Sequence, residues 1–155
     1  MSFRFQDFPA DHDDLHADVL GGLAASPKSI PPKYFYDEAG CRLFEAICAQ
    51  PEYALCRTER ALMASRVHEI AAAIGPVDCI VEPGAGDCAK VRLLVDALHP
   101  SHLVVMDIAG GPLAVAAQAL SRDYPALAVT ALGMDFLNAI DAAVPHLPTG
   151  RRLVY

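Results

Sequence analysis

A chain of 155 residues with 54% hydrophobic and 20% charged side chains is too apolar to stay disordered and long enough to bury one core. Its formal charge of -7, with 12 Lys and Arg and no basic run, excludes a surface built to neutralise phosphate backbones, so nucleic acid is not an expected partner. The opening MSFRFQDFPADHDD lacks a signal-peptide core, and no later stretch reaches the roughly 18 uncharged apolar residues of a membrane span, so no membrane partner is expected and the cytoplasm is the expected location.

Residues 1–28 are polar at first and then small and mixed. ADVLGGLAASPKS predicts a short helix broken at Gly21 and Gly22, then a loop ended by Pro27, so this part is expected to be a mobile N-terminal arm. Over residues 29–74, Leu43, Phe44 and Ile47, then Leu62, Met63, Val67, Ile70 and Ile74, recur at intervals of three and four. That spacing predicts two amphipathic helices joined by the irregular link PEYALCR. The five cysteines, Cys41, Cys48, Cys56, Cys79 and Cys88, include no C-x-x-C pair and fit free thiols in a reducing compartment. A zinc site drawn from the first three is set aside, because structural zinc usually takes its ligands in closely spaced pairs.

After Gly75 and Pro76 the texture changes. DCIVEP, LVVMDI and ALAVTALGMDF are strand-like runs, with helical patterns over 89–99 and 112–123 between them. A third helical stretch, LNAIDAAVPHL, breaks at Pro145 and Pro148, and RRLVY begins a fourth strand. Strand alternating with helix predicts an α/β fold with a parallel, doubly wound, Rossmann-like sheet over residues 75–155. With about four strands the sheet is incomplete, and its last apolar strand lacks cover, so the chain is expected to be the N-terminal portion of a longer protein.

Ligands of such sheets sit at the carboxyl ends of the strands. The residues there are Glu82, Gly84 and Gly86 after the first strand, Asp107 after the second, and Asp135 with Phe136 after the third. Two chemistries compete for the turn. GAGDCA fits G-x-G-x-x-G/A, and Asp107 lies at the roughly 20-residue distance of an acid that grips a ribose diol, which suits an NAD-type dinucleotide. S-adenosylmethionine also carries a ribose, but it has a cationic sulfonium and a zwitterionic tail in place of a pyrophosphate. Glu82 favours the second ligand, because a carboxylate at the turn repels a pyrophosphate and suits a sulfonium or an amino group. Asp135 is placed to accept from an adenine amine, with Phe136 beside the ring. The plain alternative, three solvated loop acids, does not account for their shared position after three successive strands. Lys90, one turn into the following helix, either reaches back to the ligand's carboxylate or is an ordinary helix lysine. Ser65 and His68 share a helix without an acid or a nucleophile elbow, so no hydrolase is expected.

The segment IPPKYFYDEAGCRLFEAICAQPEYALCRTE, followed by VEPGAGDCAK, MDI and GMDF, resembles the histidine-specific methyltransferases of ergothioneine biosynthesis, which trimethylate the α-amino group of L-histidine. The resemblance runs over most of residues 29–155. It implies an S-adenosylmethionine-dependent N-methyltransferase with L-histidine as its small-molecule substrate. Cofactor contacts would fall to Gly84, Lys90, Asp107, Asp135 and Phe136, with Tyr53 in the histidine pocket and Tyr36 near it. The reaction implied is in-line attack by a neutral amine, with no catalytic nucleophile and no metal. Ala85, Asp87, Cys88 and Val91 depart from the family's turn, where small or hydroxyl residues are usual, and the lost hydroxyls imply fewer hydrogen bonds to the methionine tail. An NAD-type oxidoreductase module and a non-catalytic cofactor-binding remnant remain as alternatives, and the oligomeric state is left open.

Overall fold

The computed structural model describes residues 2–8 and 12–155. Its centre is three parallel strands, β2 (Cys79–Pro83), β3 (His102–Asp107) and β4 (Ala128–Gly133), numbered after an N-terminal strand β1 (Ser2–Asp7) and followed by β5 (Arg152–Val154). The five strands lie in the order β1-β4-β3-β2-β5, all parallel.

Strands buried on both faces read as continuous apolar runs. Ile80, Leu103, Val105, Val129 and Ala131 point to one face, where they meet Val91, Leu94, Leu113, Ala117 and Leu120. The last five belong to helices α4 (Ala89–Leu98) and α5 (Gly110–Asp123), numbered after three earlier helices, α1 (His12–Ala24), α2 (Glu38–Cys48) and α3 (Leu55–Ile74). Cys79, Val81, Val104, Met106 and Leu132 point to the other face, toward Met134, Phe136 and Ala143 at α6 (Phe136–Ala143). From β2 the chain winds outward through β3 to β4, then returns through α6 to lay β5 on the other side of β2. The winding reverses between β2 and β5, which is where an open α/β sheet offers a crevice.

The N-terminal segment departs from the expected arm. Ser2–Asp7 pairs residue for residue with Ala128–Gly133, so the sheet has five strands rather than about four. SFRFQD alternates aromatic and polar side chains, a period-two signal masked by the acidic run that follows, and Phe3 packs against the core. Helix α1 also runs through Gly21 and Gly22 instead of breaking there. Gly22 accepts a backbone hydrogen bond from Ser29 at 3.1 Å, and a Cβ at Gly22 would collide with the Ser29 carbonyl oxygen. A close return of the chain, not a helix break, is what that glycine permits.

The two predicted helices of residues 29–74 are present as α2 and α3. Asp37 caps α2 by accepting from the Gly40 N–H at 2.7 Å. Yet α2 buries no residue: Leu43 is 66% exposed and Ile47 48%, while α3 buries only Met63 and Val67. Among the described residues, no helix is long and apolar enough to cross a membrane.

Candidate functional site

The turn after β2 extends the ladder before it bends. Gly84 and Ala85 N–H both donate to the Met106 carbonyl, at 2.8 and 3.0 Å, which holds the turn over the end of β3. Gly84 (φ 74°) and Gly86 (φ 52°) then take left-handed conformations that residues with a Cβ rarely adopt. Nothing lies within 4 Å of a Cβ built on Gly86, so this backbone is open to an approaching ligand.

Asp107, at the end of β3, is fixed across the turn. Its Oδ2 accepts from the Gly86 N–H and its Oδ1 from the Ala109 N–H, each at 2.9 Å. Each carboxylate oxygen has two acceptor sites, so one remains on each for a pair of hydroxyl donors. The rotamer and spacing of both acceptors are set by the backbone before any ligand arrives.

Glu82 is not at the mouth of the turn but inside it. The side chain is 2% exposed, and its Oε2 is buried without a hydrogen-bond partner. Burial pushes its carboxyl up to about 7, against the pull of the Lys90 ammonium. Lys90 in turn contacts Glu59 Oε1 at 3.3 Å and lies 5.7 Å from the Tyr155 ring centre. Burial acts to lower the Lys90 pKa, but the hydrogen bond and charge of Glu59 outweigh it and the net shift is upward. The Tyr155 hydroxyl is also buried and unpaired. The crevice between β2 and β5 therefore holds two buried oxygens lacking partners, and a donor or a cation would satisfy the Glu82 oxygen.

At the end of β4, Asp135 caps α6 by accepting from the Leu137 N–H at 3.2 Å, and its Oδ2 lies 3.5 Å from Lys33 Nζ. The Phe136 ring reaches back over the glycine turn: Cε1 is 3.9 Å from where a Gly84 Cβ would stand. The structure thus brings Glu82, Gly84, Gly86, Asp107, Asp135 and Phe136 to the carboxyl ends of three adjacent strands. Lys90 is beside them but already engaged by Glu59.

Tyr36 and Tyr53 belong to the N-terminal helical segment, one on either side of Phe44. Ring centres are 6.2 Å (Tyr36 to Phe44) and 6.4 Å (Phe44 to Tyr53), both edge-on. Tyr36 is 40% exposed and Tyr53 half-buried, so neither is a core aromatic. The irregular link that carries Tyr53 is cinched by Arg57, whose guanidinium donates to the carbonyls of Gln50 and Pro51 at 2.6 Å, Tyr53 at 3.2 Å and Cys48 at 3.4 Å.

Three of the four residues that depart from the family's pattern lie in the core. Ala85, Cys88 and Val91 are buried in the core, so their apolar character serves packing there, whereas Asp87 is exposed and accepts from the Ala89 N–H at the start of α4. Sequence reasoning missed Lys33, Glu59, Arg57 and Tyr155. Lys33 stands inside the quoted PPKYF run, so its motif was visible but not its partner. Glu59 carries no local signal for a contact 31 residues away. Among the described residues, no group of three or more His, Cys, Asp and Glu is arranged to hold a metal ion.

Comparison with known proteins decides the family. The model of the SAM-dependent, histidine-specific methyltransferases matches residues 15–155. This chain belongs to that family. It is 41% identical over 144 residues to the histidine N-alpha-methyltransferase of Mycolicibacterium smegmatis, covering 90% of this chain and 44% of that protein. With the histidine N-alpha-methyltransferase of Mycobacterium tuberculosis it shares 37% over 150 residues, 94% of this chain and 45% of the relative. Ergothioneine biosynthesis protein 1 of Neurospora crassa is 36% identical over 72 residues, 46% of this chain and 8% of that protein. The chain spans under half the length of these curated relatives. The family and the parallel sheet agree with the α/β methyltransferase fold expected from the sequence.

Proposed function

We propose that the strand-end site binds S-adenosylmethionine and that the whole protein methylates the α-amino group of L-histidine. The observation that carries the reading is the Asp107 carboxylate, held by the Gly86 and Ala109 N–H groups with an acceptor site left on each oxygen. That is the geometry needed to take both hydroxyls of a ribose. The buried, unpaired Glu82 oxygen fits a cationic neighbour such as a sulfonium or an amino group, and disfavours a pyrophosphate. Asp135 and Phe136 suit the adenine, through its exocyclic amine and its ring face. Lys90 contributes by holding Glu59 and by partly neutralising Glu82; turned from Glu59, it would face the ligand's carboxylate.

When bound, S-adenosylmethionine supplies an electrophilic methyl group that a neutral amine takes by in-line attack. The chain's contribution is orientation, which can account for several of the roughly 7–11 kcal/mol that positioning supplies. Asp107 and the glycine turn fix the ribose; Tyr53, with Tyr36 near it, lines the histidine side, the phenol hydroxyls serving as polar handles on an apolar wall. No side chain is assigned as nucleophile or metal ligand. Free thiols at all five cysteines suit a reducing compartment, so we place the protein in the cytoplasm.

The test uses the product of the complete gene, with histidine and labelled S-adenosylmethionine. Trimethylhistidine should form. Tyr53→Phe should impair histidine binding or turnover while S-adenosylhomocysteine affinity stays within about threefold, ~0.7 kcal/mol. A variant that loses cofactor and keeps histidine would reverse the assignment.

A further inference from the structure

We propose that Cys48 and Cys56 form a redox-active dithiol, a modification site that closes into an intramolecular disulfide on meeting a low-molecular-weight disulfide such as oxidised glutathione. The two Sγ atoms lie 2.9 Å apart, and both thiols are free and half-buried. Cys48 ends α2 and Cys56 is the second residue of α3, so the pair joins two helix ends across the link of residues 49–54. Reaching the roughly 2.05 Å of a disulfide requires each sulfur to move by only a fraction of an ångström.

The link is already folded back on itself. Arg57 gathers the carbonyls of Cys48, Gln50, Pro51 and Tyr53, so the native backbone has given up the freedom that a crosslink would remove. Oxidation would replace a hydrogen-bonded clasp with a covalent one around Tyr53, with its ordering cost mostly met beforehand.

The other three cysteines are not equivalent. Cys79 and Cys88 are fully buried, and burial pushes their thiols up to about 11 and about 12, which leaves them inert. Cys41 instead directs its thiol to the Tyr36 carbonyl, at 3.8 Å. Within the pair, the hydrogen bond to Cys56 and then burial raise the Cys48 thiol, so closure should quicken as pH rises.

The chemistry balances in two exchanges. One protein thiol loses its proton to solvent, and its sulfur attacks a sulfur of the small disulfide, expelling one small thiolate. The second protein thiol, deprotonated in turn, attacks the protein sulfur of the mixed disulfide and expels the other. Two protein thiols and one small disulfide give one protein disulfide and two small thiols. The protein loses two electrons and two protons; the reagent gains them.

The experiment does not depend on methyl transfer, so its failure leaves the proposed function standing. The purified chain is treated with oxidised glutathione, remaining thiols are alkylated, and the protein is digested with trypsin without reductant. Both cysteines fall in the peptide LFEAICAQPEYALCR, residues 43–57. The expected result is that this peptide is unalkylated and two hydrogens lighter, and that further cleavage after Glu52 leaves its halves joined until reductant is added. In Cys48→Ser the internal bond should vanish and Cys56 should carry one glutathione. Two glutathione adducts, or two alkylated thiols, on the wild-type peptide would overturn the proposal.

Discussion

The strand-end half of the molecule and its helical N-terminal half are held by different forces. Strands β2, β3 and β4 carry side chains such as Ile80, Leu103, Val105 and Met106 at 0% exposure, and the strand-end acids stand on that rigid floor. Helix α2 is also strongly amphipathic, yet it buries no residue, and the link after it is held by hydrogen bonds from Arg57. The difference teaches that the proposed cofactor side is preformed by packing. The proposed substrate side is positioned by a few polar clasps.

Truncating the floor should cost most. Leu103→Ala should lower unfolding free energy by about 2–5 kcal/mol, because a fully buried leucine leaves a cavity as well as losing its transfer energy. Urea denaturation measures it, and a loss below ~1 kcal/mol would mean the centre of the sheet is loosely packed.

A buried charge inside the same floor gives the next largest effect, with the opposite sign. Glu82 rises from 4.5 to about 7 in the folded state through burial, so between those values the folded protein holds a proton that the unfolded chain has released. Stability should therefore fall as pH rises from 4.5 to 7 and level off above 7. Glu82→Gln removes this term: at pH 8 the variant should gain up to about 3 kcal/mol on wild type relative to their difference at pH 4.5, since each pKa unit is about 1.4 kcal/mol. A parallel pH dependence in the two proteins would show that Glu82 is solvated. If a cation of the ligand neutralises Glu82, S-adenosylhomocysteine should also bind more tightly as pH passes upward through 7, and Glu82→Gln should flatten that trend.

The clasp is a smaller perturbation. Arg57→Ala should cost about 1–2 kcal/mol, the order of a few charged hydrogen bonds discounted for their exposure, and should speed amide exchange in residues 49–55 while β2 to β4 stay protected. Exchange that quickened across the sheet instead would erase the distinction between the halves. Least of all should follow from Leu43→Ala on the open face of α2, within about 0.5 kcal/mol by the same denaturation assay.

These regions also differed in how far the sequence could foretell them. The three central strands and the acids after them are legible because burial on both faces demands apolar runs, and a parallel sheet puts strand ends on one side. Strand β1 is not, since SFRFQD becomes a strand only where the edge of β4, more than 120 residues away, supplies its ladder. Glu82 is legible as an acid at the strand end but its burial is not, because an acid in IVEPG reads as a loop charge until the turn folds over it. The couplings of Lys33 with Asp135 and Glu59 with Lys90, and the approach of Cys48 to Cys56, depend on how separate elements meet. Residue spacing carries none of that.

The central claim is that the strand-end site is built for a ribose beside a cation, and calorimetric titration of the purified chain with S-adenosylhomocysteine and with NAD tests it most directly. Wild type should bind S-adenosylhomocysteine at one site and give no heat with NAD, and Asp107→Ala should lose on the order of 1.5–3 kcal/mol of that affinity, the scale of a hydrogen bond to a charged group. Binding of NAD in place of S-adenosylhomocysteine, or unchanged S-adenosylhomocysteine affinity in a folded Asp107→Ala protein, would contradict it.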